Sequence, residues 1–209
     1  VSGLFITFEG PDGAGKTTQV HNLAEVMQSK GYDVLVTREP GGTDIGDKIR
    51  ELVLNPKHKE MFDHTEVLLY AASRAQHVKE KIMPALQSGK IVICDRFVDA
   101  SIAYQGYGLG FPIETVESIN RFATAGLVPD RTYMLDLSVQ EAQVRLRQRE
   151  GLDRIERRGA DYHERVRAGF AEIAKRHPER VRVVAANRPI EQVSQEIARD
   201  MLNWLHRLT

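Results

Sequence analysis

Five short runs of apolar residues punctuate the chain, at Leu4–Phe8, Val34–Thr37, Ile91–Cys94, Tyr133–Leu137 and Val181–Ala185. Each has strand length and lacks the polar alternation of a strand with one wet face, so each is expected to be covered on both sides. Between them the apolar positions recur at helical spacing. That alternation predicts an α/β fold with a parallel sheet flanked by helices on both faces. The first helix is expected over Thr18–Lys30, with Val20, Leu23, Ala24 and Met27 on one face and Gly31 as its stop. A second runs from about Asp44 to Leu54 and ends at Asn55-Pro56. A third covers about Thr65 to Gln87, with Pro84 kinking its last turn. Pro112 opens another, two more span about Gln140–Arg149 and Ala160–His177, and Pro189 starts the last, which carries Trp204. Tyr104–Gly110, with glycines between aromatic residues, reads as a flexible loop. No repeat, low-complexity tract or linker interrupts the pattern, so residues 1–209 are read as one domain with inserted mobile segments.

The stretch after the first strand carries the strongest chemical signal. Gly10-Pro-Asp-Gly-Ala-Gly-Lys-Thr17 fits G-x-x-x-x-G-K-[ST], the P-loop, placed between a strand and a helix as that motif requires. Its glycines let successive backbone N–H groups turn toward phosphate oxygens, and the helix adds its positive end. Lys16 is expected to reach the β- and γ-phosphates and Thr17 to ligate Mg²⁺. In open parallel sheets the ligand crevice lies beyond the carboxyl ends of the strands. Glu9 through Thr17, Arg38-Glu39 and Asp95-Arg96 all fall there. Asp95 suits the carboxylate that P-loop enzymes place near Mg²⁺, and equally a strand-end cap or ion pair. Arg74 follows Tyr70 by one helical turn: the two either stack a base and bond its edge or are a surface Arg beside a core Tyr. Six arginines lie between Arg145 and Arg158, with Glu150, Asp153 and Glu156 among them, which fits a phosphate-clamping lid or a solvated face.

Composition narrows the partners. The 29 basic and 29 acidic residues leave no net field to recruit nucleic acid or an anionic membrane, so any attraction for an anionic substrate must be local. No apolar run is long enough for a membrane helix and no charged-then-apolar leader precedes Leu4, which makes a cytoplasmic protein the expectation. Cys94 is the sole cysteine, which excludes an intramolecular disulfide and a cysteine zinc cluster, and its apolar neighbours predict a small buried residue.

Taken together, Phe8-Glu-Gly-Pro-Asp-Gly-Ala-Gly-Lys-Thr-Thr18, Thr37-Arg-Glu-Pro-Gly-Gly-Thr43, Leu69-Tyr-Ala-Ala-Ser-Arg74, Asp95-Arg-Phe97, Ala103-Tyr-Gln-Gly106, Pro129-Asp-Arg-Thr132 and Leu152-Asp-Arg-Ile-Glu156 resemble, in order, the bacterial thymidylate kinases. The resemblance spans nearly the whole chain. It implies a P-loop NTPase fold with a five-stranded parallel sheet, a mobile lid at about 149–160, commonly a homodimer, and the reaction of ATP with dTMP. It also implies roles. Gly10, Pro11, Asp12, Gly13, Ala14, Gly15, Lys16, Thr17 and Thr18 hold the donor nucleotide, with Thr17 and Asp95 at Mg²⁺. Asp12 further contacts the deoxyribose 3′-hydroxyl and acceptor-phosphate region, and Arg96 holds the acceptor phosphate. Tyr70 stands where an aromatic, usually Phe, stacks on thymine, and Arg74 matches the arginine that bonds base O4. Tyr104 crowds the sugar 2′ position, Ser101 and Gln105 lie in the base-binding stretch, and Glu39 belongs to the same acceptor side. Because Gly13-Ala14 supplies no basic residue, the catalytic arginine is expected from the lid, at Arg154, with Arg149 and Arg158 as reserves. The chain departs from the family at Tyr70 and at Ala100, where a hydroxyl residue is frequent. Two other classes fit the P-loop alone: a kinase for another acceptor, and a nucleotide-hydrolysing switch. The chain lacks both the guanine-specific N-K-x-D motif and a basic stripe with aromatics for nucleic acid.

Overall fold

The computed structural model describes residues 3–148 and 151–208. Five strands form one sheet in the order β2-β3-β1-β4-β5, every neighbouring pair parallel. They are β1 Leu4–Glu9, β2 Val34–Arg38, β3 Ile91–Asp95, β4 Arg131–Asp136 and β5 Val181–Ala185. The helices are α1 Lys16–Ser29, α2 Asp44–Leu54, α3 Asp63–His77, α4 Met83–Gln87, α5 Val98–Ser101, α6 Ile113–Thr124, α7 Val139–Leu146, α8 Ala160–Arg176 and α9 Ile190–Leu208. The five expected strands and the two-sided covering are all present.

Residues of β1 alternate between two cores. Ile6 and Phe8 meet Val20, Leu23 and Met27 of α1 and Ile197 and Met201 of α9. On the other face Phe5 meets Val78, Ile82, Val92 and Phe97, with the Phe5 and Phe97 rings edge to face at 4.8 Å. Cys94 is buried in that second core, as expected. Beside it, Tyr104, Tyr162, Val166 and Phe170 pack α8 onto the segment that follows α5. Burial on both faces is why the strands need no polar side. The register sets Phe8 and Arg38 level with Asp95, so three strands end in one row. Chain order reverses across β1, between β3 and β4, and the crevice opens at that point.

Three sequence expectations need correction. The long third helix starts at Asp63, and it is interrupted by a π-helical turn at Val78–Ile82. Pro84 at the start of α4 cannot donate an amide or accept a tight preceding turn, and the wider turn accommodates it. Tyr104–Gly110 is not a loose loop: residues Ile102–Gly108 form a second π-helical segment, largely buried. Its glycines serve close packing. A Cβ at Gly106 would stand 2.6 Å from Ile113 Cδ1, and one at Gly108 2.6 Å from Tyr162 Cε2. The helix expected over Gln140–Arg149 runs from Val139 to Leu146, opened by a Ser138–Glu141 capping box; Arg149 itself lies outside the described residues.

Candidate active site

β1 ends at Glu9 and leads directly into the glycine-rich loop. Gly10, Gly13 and Gly15 have φ of 128°, 84° and 87°, a region side chains disfavour. At Gly10 the space is closed as well, since a Cβ would lie 2.3 Å from the Leu135 carbonyl oxygen. Gly15 caps α1, so Lys16, Thr17 and Thr18 form its first turn, where amides lack helical partners and the dipole is positive. Lys16 is only 6% exposed and its Nζ donates to the Pro11 carbonyl at 2.8 Å. Burial, then repulsion from Arg96, lowers its pKa to about 8. Thr17 Oγ1 donates to Asp95 Oδ2 at 2.7 Å, joining the P-loop to the end of β3. Arg145, first of the arginine-rich series, donates from Nη1 to the Gly13 carbonyl at 3.1 Å.

Arg96 occupies the centre. It has φ 72°, a strained value for a side-chain-bearing residue, held by its amide bonding the Phe8 carbonyl at 2.9 Å. This bend carries the side chain over the P-loop. Nη1 donates to the Gly10 carbonyl at 3.0 Å, and Nη2 donates to Asp12 Oδ1 at 2.8 Å and to Tyr104 Oη at 3.1 Å. Burial opposes its charge, but Tyr104 and the carboxylates of Asp12 and Glu9 more than offset this and raise its pKa. Burial also opposes the charge of Asp12, yet Arg96 and Lys16 hold that carboxyl well below the usual range. Glu9, which the sequence placed at the strand end without a role, is fully buried. Its Oε1 accepts from the amides of Phe97 at 2.7 Å and Ala100 at 3.2 Å. Oε2 has no hydrogen-bond partner and stands 4.0 Å from Arg96 Nη1. Burial, reinforced by Asp99, pushes the Glu9 pKa up to about 8.

The second half of the site is built on α3. Arg74 is 2% exposed and bonded on almost every side. Nε donates to Glu39 Oε2 at 2.6 Å, Nη1 to Ser101 Oγ at 2.8 Å and to Asn120 Oδ1, and Nη2 to the Phe97 carbonyl at 2.9 Å. Glu39 in turn meets His77 Nδ1 at 2.9 Å, whose Nε2 meets Thr37 Oγ1 at 2.7 Å. Asn120, His77 and the buried Glu66 were not singled out in the sequence. Glu66 had a signal, because residues 66, 70 and 74 follow one another at a single helical turn. Arg50 was missed too: it lines the cleft beside Arg38, its Nη1 donates to the Pro40 carbonyl at 3.0 Å, and burial with repulsion from Arg38 lowers its pKa.

Residues 151–159, the described part of the segment expected to form a lid, pack against α2 and α3. Arg154 donates from the backbone to Leu54 at 2.9 Å, and from Nε to the Val53 carbonyl at 2.8 Å. Its Nη2 donates to Glu66 Oε2 at 2.5 Å. Arg154, expected at the transferred phosphoryl, is here turned toward Val53 and Glu66 and does not line the cleft. Arg158 shares Glu66 with it, at 2.6 Å.

One cleft of about 380 Å³ runs from the P-loop to α3. Asp12, Gly13, Gly15–Thr18, Glu39, Tyr70, Arg74, Asp95, Arg96, Ala100, Ser101, Tyr104 and Gln105 line it, while Gly10, Pro11 and Ala14 support the loop from outside it. A P-loop facing a second pocket with an aromatic wall and polar edge groups, with an arginine between, defines a P-loop kinase of the nucleoside monophosphate kinase class. The comparisons give the family: residues 8–197 match the thymidylate kinase family model, and the chain belongs to that family. The thymidylate kinase of Exiguobacterium sibiricum is 56% identical over 99% of this chain and 98% of its own. That of Bacillus pumilus is 47% identical over 99% of both. The crystal structure of thymidylate kinase from Ehrlichia chaffeensis superposes with a TM-score of 0.78 at 36% identity, covering 96% of this chain and 99% of the other.

Proposed function

We infer that the chain transfers the γ-phosphoryl group of ATP to dTMP, giving ADP and dTDP, the reaction thymidylate kinases supply to dTTP synthesis. The observation that carries this is the single cleft in which Lys16 and Thr17 face the Tyr70–Arg74 pocket across Arg96. Phosphoryl transfer passes through a loose transition state, so positioning and charge neutralisation are what the protein must provide. The P-loop amides and Lys16 hold the donor phosphates. Arg96, fixed from below by Gly10 and Asp12, aligns the acceptor phosphate, and Arg38 and Arg50 add positive charge nearby. An ionised phosphate is already the nucleophile, so no general base is assigned.

Thr17 and Asp95 fit a Mg²⁺ ion: both offer hard oxygen donors, and a nucleotide-bound Mg²⁺ needs only one or two protein ligands. Bound with ATP, the ion would neutralise charge on the β- and γ-oxygens. Among the described residues no group of three or more His, Cys, Asp or Glu could hold a metal alone, in keeping with an ion carried by the nucleotide.

For the base, Tyr70 supplies a stacking face and Arg74 a donor. A guanidinium has five N–H groups. The bonds to Glu39, Ser101, Asn120 and Phe97 leave Arg74 one on Nη2, enough for a single carbonyl such as thymine O4. Gln105 donates an amide hydrogen to Glu66 at 3.1 Å, leaving its carbonyl to accept from N3–H. Tyr104, fixed by Asp12 and Arg96, crowds the sugar 2′ position. Exposed apolar side chains on neighbouring helices, Leu52, Leu68 and Phe122, support a homodimer, which light scattering of the purified chain would register as twice the chain mass. No described helix is long and apolar enough to cross a membrane, and a cytoplasmic location fits two nucleotide substrates.

The test is an acceptor panel of dTMP, dUMP, CMP, AMP and shikimate with ATP. dTMP should react fastest, and dUMP slowly but measurably, because one methyl contact is worth only about 1–3 kcal/mol. A faster reaction with any other acceptor would overturn the assignment.

A further inference from the structure

Glu66 is a carboxylate with no exposure to solvent, on the first turns of α3. Both of its oxygens are occupied by three side chains. Oε1 accepts from Gln105 Nε2 at 3.1 Å and Arg158 Nη1 at 3.2 Å, while Oε2 accepts from Arg154 Nη2 at 2.5 Å and Arg158 Nη2 at 2.6 Å. The two arginines come from the lid, and the glutamine lines the cleft. A buried carboxylate is tolerated only while it is paired and hydrogen-bonded, so losing either guanidinium group removes a charge-assisted contact that holds these residues together. Residues 151–159 are thereby tied to α3 through Glu66. Two further ties run the same way. Arg158 lies over the Tyr162 ring at 4.7 Å and donates to its Oη at 2.8 Å, and that hydroxyl donates to the Tyr104 carbonyl at 3.2 Å. Arg154 holds the end of α2 through Val53 and Leu54. These contacts lie on the acceptor side.

We propose that Glu66 is the positioning residue that fastens the lid, through Arg154 and Arg158, to the acceptor pocket, through Gln105. A base seated against Tyr70 and Gln105 holds the α3 face and the amide that orient Glu66, so acceptor binding and lid closure reinforce each other. Arg154 then serves as a lid anchor, held by Glu66 and Val53, and not as a group at the donor phosphates.

Two variants approach the contact from opposite sides, Glu66→Gln and Arg154→Ala, together with the double variant. In the free enzyme, hydrogen exchange of the lid amides over 151–159 should rise about tenfold in each single variant, as expected for loss of a charge-assisted bond. Exchange in β1, β3 and β4 should be unchanged. The double variant should exchange no faster than the faster single one. Kinetically, and here the inference rests on the dTMP reading, KM for dTMP should rise about tenfold with kcat within about threefold and KM for ATP unmoved. Unchanged lid exchange in both variants, or additive effects in the double variant, would overturn the proposal. So would a loss confined to kcat, which would put Arg154 at the transferred phosphoryl. If Glu66→Gln does not fold, Arg154→Ala decides alone. Failure of the wild type to phosphorylate dTMP would sink the substrate reading and leave the exchange result standing.

Discussion

Lys16 shows how far one residue's chemistry depends on its surroundings. Its identity and spacing marked it in the sequence, whereas the burial and the Arg96 charge that bring its pKa to about 8 come from the fold. A lysine lowered in this way loses its proton as pH rises through that value, and neutral Lys16 cannot neutralise phosphate. In the free enzyme, kcat/KM for ATP should therefore fall above about pH 8. Bound polyphosphate favours the charged form, so kcat itself should decline only at higher pH. Coincident profiles for the two would argue against Lys16 as the donor-side cation. Asp12, Arg96 and Tyr104 were likewise legible by matching, but their mutual bonds were not. The φ of 72° that aims Arg96 over the loop and the unpartnered oxygen of Glu9 leave no mark in residue order. Glu66 could have been found from its spacing to Tyr70 and Arg74. Asn120 was visible only as a polar residue one turn after Val116 on a buried face.

At the level of elements, the strands were legible because burial on both faces writes itself as uninterrupted apolar runs. The two π-helical segments were not, since their spacing mimics an ordinary helix before Pro84 and a glycine loop after Ser101. Glycine between aromatics signals freedom or close approach equally well, and only the partner decides. At Gly108 the partners are Tyr162 and Val166, so Gly108→Ala should overpack the contact and lower unfolding free energy by about 1–3 kcal/mol. At Gly159 a Cβ meets nothing within 4 Å and φ is −64°, so Gly159→Ala should stay within about 0.5 kcal/mol. Chemical denaturation of the two variants checks this. Equal losses would mean that the π-helical segment is not packed as described.

For the whole molecule, the sequence could place chemistry at strand ends but not bring the ends together. The strand order, with β1 between β3 and β4, is what turns Thr17 toward Asp95 and Arg96 toward Asp12. The cleft that results runs from the P-loop to α3, and under the proposed function its two ends take donor and acceptor. Donor and acceptor are bound for the sake of one transfer, so neither should be consumed without the other. The most direct measurement is chromatographic quantification of ADP and dTDP formed by the wild-type chain with ATP and Mg²⁺, with and without dTMP. One dTDP is expected for each ADP, with little ADP when dTMP is left out. ADP released at a similar rate without dTMP, or with no matching dTDP, would contradict this.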